Sequence, residues 1–400
     1  MVIGEERATA LAGRSEADAL FEAGKFERAG RLYEEILKGN PGNVHAARRR
    51  GYVALLGNRF PDAEKFLTMA LESAPGDEQT NRLLADCYTR QDKFALAAPC
   101  WQAAGEEAYA KQFAAFRGTP YQIHGDLARL PWQRTDPFPL VEASVNGGPP
   151  KSFTFYTRVG GLGVSAKVAK EAGLNAVAKQ KIEAFGDIMW LYYGVLESFK
   201  LGGIELRNIP VGWSELESGG EVAPEAHDGM IGTWIFYHLL STFDYAGRAL
   251  ILRRRTPESA RKARARAGVK PLPLWLAAEH LLHTEGSVAG SDTGVVALNI
   301  GGTGEQVAGM SEETARRLGV RVDYDRPLAG FAGGQPVVVY PCYPKEVRLG
   351  GATAKGVYCY AGGKSTLGHE GFYKLADFAH TFHKPYDITL DFTDMKVYIA

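Results

Sequence analysis

Ser152–Leu174, SFTFYTRVGGLGVSAKVAKEAGL, decides how the larger part of this chain is read. Alternating apolar and polar residues run through Phe155, the pattern of a half-buried strand. Tyr156-Thr157-Arg158 then turns out of the strand, Gly160 and Gly161 carry a loop, and a short helix follows. Corners of this kind often carry chemistry, because the scaffold is rigid and the loop is open. Tyr156 and Arg158 are therefore the first candidates for function.

The stretch has a counterpart further on. Ser165, Ala169 and Gly173 match Ser311, Ala315 and Gly319 at an offset of 146, Leu201-Gly202-Gly203 matches Leu349-Gly350-Gly351 at 148, and Phe243-Asp244-Tyr245 matches Leu390-Asp391-Phe392 at 147. Markers in the same order imply two copies of one β-rich lobe, with strands such as LVEASVNGG, GVVALNI and PVVVYPCY. The lobes are placed at residues 116–255 and 271–400, joined by a basic linker at 256–270 within RRRTPESARKARARAGVK. That segment lacks aromatics and reads as a solvated connection, not a nucleic-acid patch.

Residues 1–115 follow a different rule. Phe26, Phe60 and Phe94 are 34 apart, as are Ala29, Ala63 and Ala97, with Tyr33, Leu67 and Trp101 in phase and Pro41 and Pro75 closing two units. A period of 34 is that of stacked helical hairpins, and the pattern resembles tetratricopeptide repeats. Such arrays bury one continuous core and commonly dock peptides or partner proteins. The fold class expected is an N-terminal α-helical array followed by a bilobal all-β domain.

Composition excludes several classes. Lys plus Arg number 46 and Asp plus Glu 46, so no net field draws the chain to nucleic acid or anionic membrane. No signal-peptide-like apolar run opens it and no eighteen-residue uncharged apolar stretch occurs, giving the expectation of a soluble, cytoplasmic protein. Cys87, Cys100, Cys342 and Cys359 have no metal or redox spacing and read as reduced thiols.

Two lobes, each with a strand, an x-Thr-x turn, a glycine segment and an A-x-x-x-G helix, resemble the bilobal aspartic proteases, most closely the retropepsin-like bacterial proteins. The resemblance implies an Asp-Thr-Gly turn from each lobe at the centre of a cleft. It also implies an apolar-apolar-Gly strand behind each turn, here Met230-Ile231-Gly232 and Thr366-Leu367-Gly368, and flaps at AFGDIMWLYYG and AGFAGGQPVVVY. Aligning Ser165 with Ser311 sets Tyr156-Thr157-Arg158 against Gly302-Thr303-Gly304. On this register the dyad positions hold Tyr156 and Gly302, while both threonines remain. Two carboxylates must lie close enough to share one proton for this chemistry; a phenol and a bare backbone cannot replace them.

Ser291-Asp292-Thr293-Gly294 spells the motif but precedes its strand, at an offset of 143 that matches Glu142, Ser144, Val145 and Gly147 to Glu285, Ser287, Val288 and Gly290. It reads as a hairpin turn. The reading is thus a pseudoprotease that holds a peptide, a protein or a small anionic ligand against Tyr156, Thr157, Arg158, Thr303, Gly304 and Glu305, with Arg158 pairing to Glu305 or to a ligand carboxylate. The alternative is a repurposed isomerase, lyase or cyclase of biosynthetic type, with Arg158 clamping an anion, Tyr156 moving a proton and Glu305 acting as base. His280 with His283, and His380 with His383, lack a third ligand in sequence and read as structural. No cofactor or metal is expected.

Overall fold

The 34-residue phase becomes helix pairs because apolar residues recur on one face and capping residues recur with them. The computed structural model describes residues 15–184, 186–218, 227–301, 304–332, 335–363, 367 and 370–400. Seven helices open it: Glu16–Glu22, Phe26–Gly39, Val44–Leu56, Phe60–Ser73, Glu78–Thr89, Phe94–Ala103 and Glu107–Ala114. Ser15, Asn43 and Asp77 cap three of them, each side chain accepting from a backbone N–H of the first turn. Ala29, Ala63 and Ala97 are fully buried, where only a small side chain lets adjacent helices approach.

The array lies across both β lobes. Phe21 and Phe26 pack edge-on against Phe372 at 6.1 and 5.1 Å between ring centroids, and Phe26 against Trp275 at 5.0 Å, all contacts with the second lobe. Phe94, Trp101 and Phe113 instead join the core of the first lobe. Arg90 ties the two parts together from a buried position: its guanidinium donates to Leu55 O at 2.9 Å and, across the junction, to Ala277 O at 3.0 Å and Leu276 O at 3.2 Å, with Asp86 as its ionic partner. Gly24 faces the second lobe so closely that a Cβ there would sit 2.2 Å from Val295 Cγ2.

The duplication read from the sequence is visible in the strand order. In the first lobe the strand Lys151–Phe155 pairs in parallel with Gly229–Ile231, which pairs antiparallel with Leu162–Ser165. In the second, Gly294–Leu298 pairs in parallel with Ala376–Phe378, which pairs antiparallel with Ala308–Met310. Each lobe also raises a long hairpin, Ala178–Ala184 with Asp187–Leu201 and Leu328–Ala332 with Gln335–Tyr343. These are the two segments expected as flaps. Close to their tips Gln335 Nε2 donates to Glu183 O at 3.2 Å, so the hairpins meet.

A six-stranded sheet joins the lobes, in the order Leu272–Pro273, Lys396–Ile399, Asp387–Asp391, Leu239–Asp244, Ala249–Arg254, Leu127–Pro131. At its centre Thr242 stands opposite Thr389, with their hydroxyls 2.9 Å apart. These two threonines share the 147-residue offset of the duplication, so a local twofold axis passes between them. Within the stretch read as a linker, Pro257–Ala267 is a helix, started by a capping box between Thr256 and Ser259 and by Pro257 in its first turn.

The strand behind the second turn corrects the sequence expectation. It is Ala376–Phe378, not Thr366-Leu367-Gly368, of which Thr366 and Gly368 lie outside the described residues. The apolar-apolar-Gly pattern fails there because Asp377-Phe378-Ala379 stands where the first lobe has Met230-Ile231-Gly232. Gly232 is demanded in the first lobe, since a Cβ would fall 2.2 Å from Gly161 O.

Candidate functional site: the paired turns between the lobes

The strand Lys151–Phe155 delivers Tyr156, Thr157 and Arg158 to the boundary with the second lobe. Tyr156 N donates to Ile231 O at 3.1 Å, fixing the turn on its supporting strand. Asn299 N donates to Phe378 O at 2.8 Å in the second lobe, the same bond in the other copy. Tyr156 and Asn299 are therefore equivalent, each the first residue beyond its strand.

Thr157 is fully buried and holds the turns together. Its hydroxyl donates to Leu298 O at 2.9 Å and accepts from Ile300 N at 2.9 Å, while its own N–H donates to Ile300 O at 3.0 Å. The residue equivalent to Thr157 is Ile300, which has no hydroxyl to return the interaction, so the interlock is one-sided. Gly301 follows with φ +86°, and a Cβ on it would lie 2.0 Å from Phe155 O; the two backbones approach too closely for any side chain.

This geometry corrects the register. The partner of Tyr156-Thr157-Arg158 is Asn299-Ile300-Gly301, not Gly302-Thr303-Gly304. The helices used for alignment, capped by Ser165 and Ser311, lie after a loop that is three residues longer in the second lobe, whereas the strands before the turns keep the offset of 143. Asn299 was missed for that reason. The offset of 143 on the preceding hairpin, carried forward, points to it. Gly302 and Thr303 lie outside the described residues; Gly304 and Glu305 are exposed, with Gly304 O accepting from Thr381 Oγ1 at 3.2 Å. Asp292 is exposed in the turn ahead of the strand Gly294–Leu298.

Arg158 finds Asp377. Its Nη1 lies 3.6 Å from Asp377 Oδ1, within ion-pair reach but beyond a hydrogen bond. The pairing with Glu305 expected from sequence is replaced by this contact, because Asp377 comes from the strand directly behind the second turn. Lys374 Nζ lies 3.7 Å from the same oxygen and 3.3 Å from Glu370 Oε1, and the buried His283 places Nε2 3.8 Å from Glu370 Oε1. A line of alternating charge thus runs from the cleft floor into the second lobe. Burial alone would raise the Asp377 carboxyl, but Lys374 and Arg158, with His283, hold it below the usual carboxylate range. Burial and Lys374 push His283 down to about 4 against the pull of Glu370.

The arrangement can bind and orient; it has no pair of carboxylates sharing a proton at Tyr156 and Asn299. Asp377 is a single carboxylate kept ionised by two cations, which is the opposite of the shared-proton state. Among the described residues no group of three His, Cys, Asp or Glu side chains is placed to hold a metal, and no helix is long and apolar enough to cross a membrane.

Residues 14–78 match the family model described as Tetratricopeptide repeat. No curated protein matches the chain. Among solved structures the chain is similar to a retropepsin-like aspartic protease from Rickettsia conorii, at 14% sequence identity, covering 34% of this chain and 96% of that one, with a TM-score of 0.25.

Proposed function

We propose that the cleft between the lobes is a peptide-binding groove without peptidase activity, in a chain whose repeat array serves protein interaction. The observation that supports this reading is the Thr157 interlock, which pairs the two turns so that Tyr156 and Asn299 stand where, on this reading, a water-activating dyad would need carboxylates. A phenol has a reference pKa near 10 and an amide does not titrate in water, so neither supplies the general base. Loss of a positioned general base costs about 10² to 10⁴ in rate, and here both members are absent. The two hairpins provide strand edges above the floor, suited to holding an extended segment through main-chain hydrogen bonds.

A non-hydrolytic enzyme would need Arg158 available to clamp an anion. Its ion-pair contact with Asp377 offsets part of that charge from within the protein, which favours binding over the repurposed-enzyme reading. The test is incubation of the full chain with an unstructured peptide mixture between about pH 3 and 8, which reaches into the window between dyad pKa values of about 1.5 and 4.7 where two carboxyls share one proton. Mass spectrometry should recover intact peptides, with some retained by the immobilised protein. Cleavage abolished by replacing a carboxyl residue of the cleft floor would refute the reading.

A further inference from the structure

The last helix of the array, Glu107–Ala114, lies on the flap of the first lobe. Gln112, almost fully buried, donates from Nε2 to Gly194 O at 2.8 Å and to Val211 O at 3.0 Å, which fixes the helix to the backbone of two strands. Beneath this contact is a cavity of about 240 Å³, bounded by Tyr109 and Gln112 from the helix and by Val159, Gly163, Tyr193 and Trp234 from the lobe. Val159, which lines the space, directly follows the Tyr156-Thr157-Arg158 turn, so the space reaches the end of that turn. The Tyr109 ring meets Tyr193 edge-on at 5.5 Å and Trp234 at a tilt at 6.2 Å.

Size limits what the cavity can take. An apolar cavity of about 150 Å³ stays dry and holds benzene, while sites for whole small molecules run from about 300 to 1,000 Å³. The space fits a single aromatic group belonging to something larger, and the Tyr109, Tyr193 and Trp234 rings that line it suit such an occupant. Gly163 leaves the room open. A Cβ built there meets no heavy atom within 4 Å, and its backbone is not in the left-handed region, so neither crowding nor conformation requires glycine.

We infer that this cavity is a subsite for an aromatic side chain of the bound peptide, walled jointly by the array and the first lobe. The inference rests on the peptide-groove reading and adds that the array selects what the groove holds.

Two measurements test it separately. Fluorine NMR of 5-fluoroindole with the full chain should show saturable broadening that Gly163→Leu abolishes while thermal stability is kept or raised. Tyr109→Ala should weaken the same binding roughly three- to tenfold, the loss of one aromatic contact. Gly163→Val serves the same purpose if the leucine variant does not fold. No binding, or binding indifferent to filling at Gly163, overturns the subsite. Panning of a random phage-displayed peptide library should enrich aromatic residues on the wild type and lose that preference, but not all binding, on Gly163→Leu. Enrichment with no aromatic preference, or with one that survives the substitution, overturns the subsite and leaves the groove standing. If no peptide is enriched, the groove reading fails, and the fluoroindole result alone decides whether the cavity takes an aromatic group.

Discussion

Replacing Thr157 with valine tests the interlock on which the assignment of Tyr156 and Asn299 depends. Valine preserves the shape of a side chain that is fully buried, so apolar packing is little changed. What disappears is the hydroxyl, leaving Leu298 O and Ile300 N–H buried without the partners they have at 2.9 Å each. A buried backbone group left unsatisfied costs about 1–3 kcal/mol, so the pair should cost about 2–6 kcal/mol, a large part of the 5–15 kcal/mol that stabilises an ordinary domain. Thr157→Ser keeps both hydrogen bonds and removes one methyl, for about 1 kcal/mol. Denaturant unfolding followed by tryptophan fluorescence should therefore rank wild type, serine and valine in that order, with valine well separated. If valine and serine fall within about 0.5 kcal/mol of one another, the hydroxyl bridges nothing and the pairing of the turns is wrong.

Three further outcomes are expected. Arg90→Leu removes one partner of a buried ion pair together with its bonds to Leu276 O and Ala277 O, and should cost about 3–5 kcal/mol, seen as earlier proteolysis at the junction of array and lobes. His283 and His380 are lowered to about 4 and His383 to about 3, all chiefly by burial, so the unfolded chain takes up their protons near pH 6.5 while the folded chain refuses them until far lower. Stability should thus be full above pH 6.5 and fall progressively towards pH 4, measured as a declining thermal midpoint; a flat profile would contradict the buried neutral histidines. Tyr156→Asp combined with Asn299→Asp places a carboxylate on each turn and, on the proposed reading, should produce acid-dependent peptide cleavage that neither single substitution gives; equal activity in one single variant would show that the two positions do not act as a pair.

Much of the architecture could be read from residues alone, for reasons of spacing. Ala29, Ala63 and Ala97 keep their phase because each is fully buried where adjacent helices approach, and Phe243-Asp244-Tyr245 and Leu390-Asp391-Phe392 keep theirs because they stand beside Thr242 and Thr389, between which a twofold axis passes. The register of the second turn was lost in the loop after it. Gly302-Thr303-Gly304 imitates the expected x-Thr-Gly spelling, while the residues that occupy the position, Asn299-Ile300-Gly301, share only the final glycine with the motif. Asp377 was hidden because an apolar strand was sought there, and a charge on it makes sense only once Arg158 and Lys374 are seen beside it. The docking of the array had no sequence signature: Gly24 reads as an ordinary turn glycine until Val295 is found against it.

The helical array touches one lobe through Phe21 and Phe26 and the other through Phe94 and Phe113, so it spans the gap as a splint spans a joint. Hinging at the central sheet alone would have to break these contacts before the lobes could rock apart. On the peptide-groove reading, a bound segment would meet walls of fixed spacing beneath the two hairpins, which touch where Gln335 meets Glu183. On the same reading, a segment that fits those walls would lose little affinity to ordering its host.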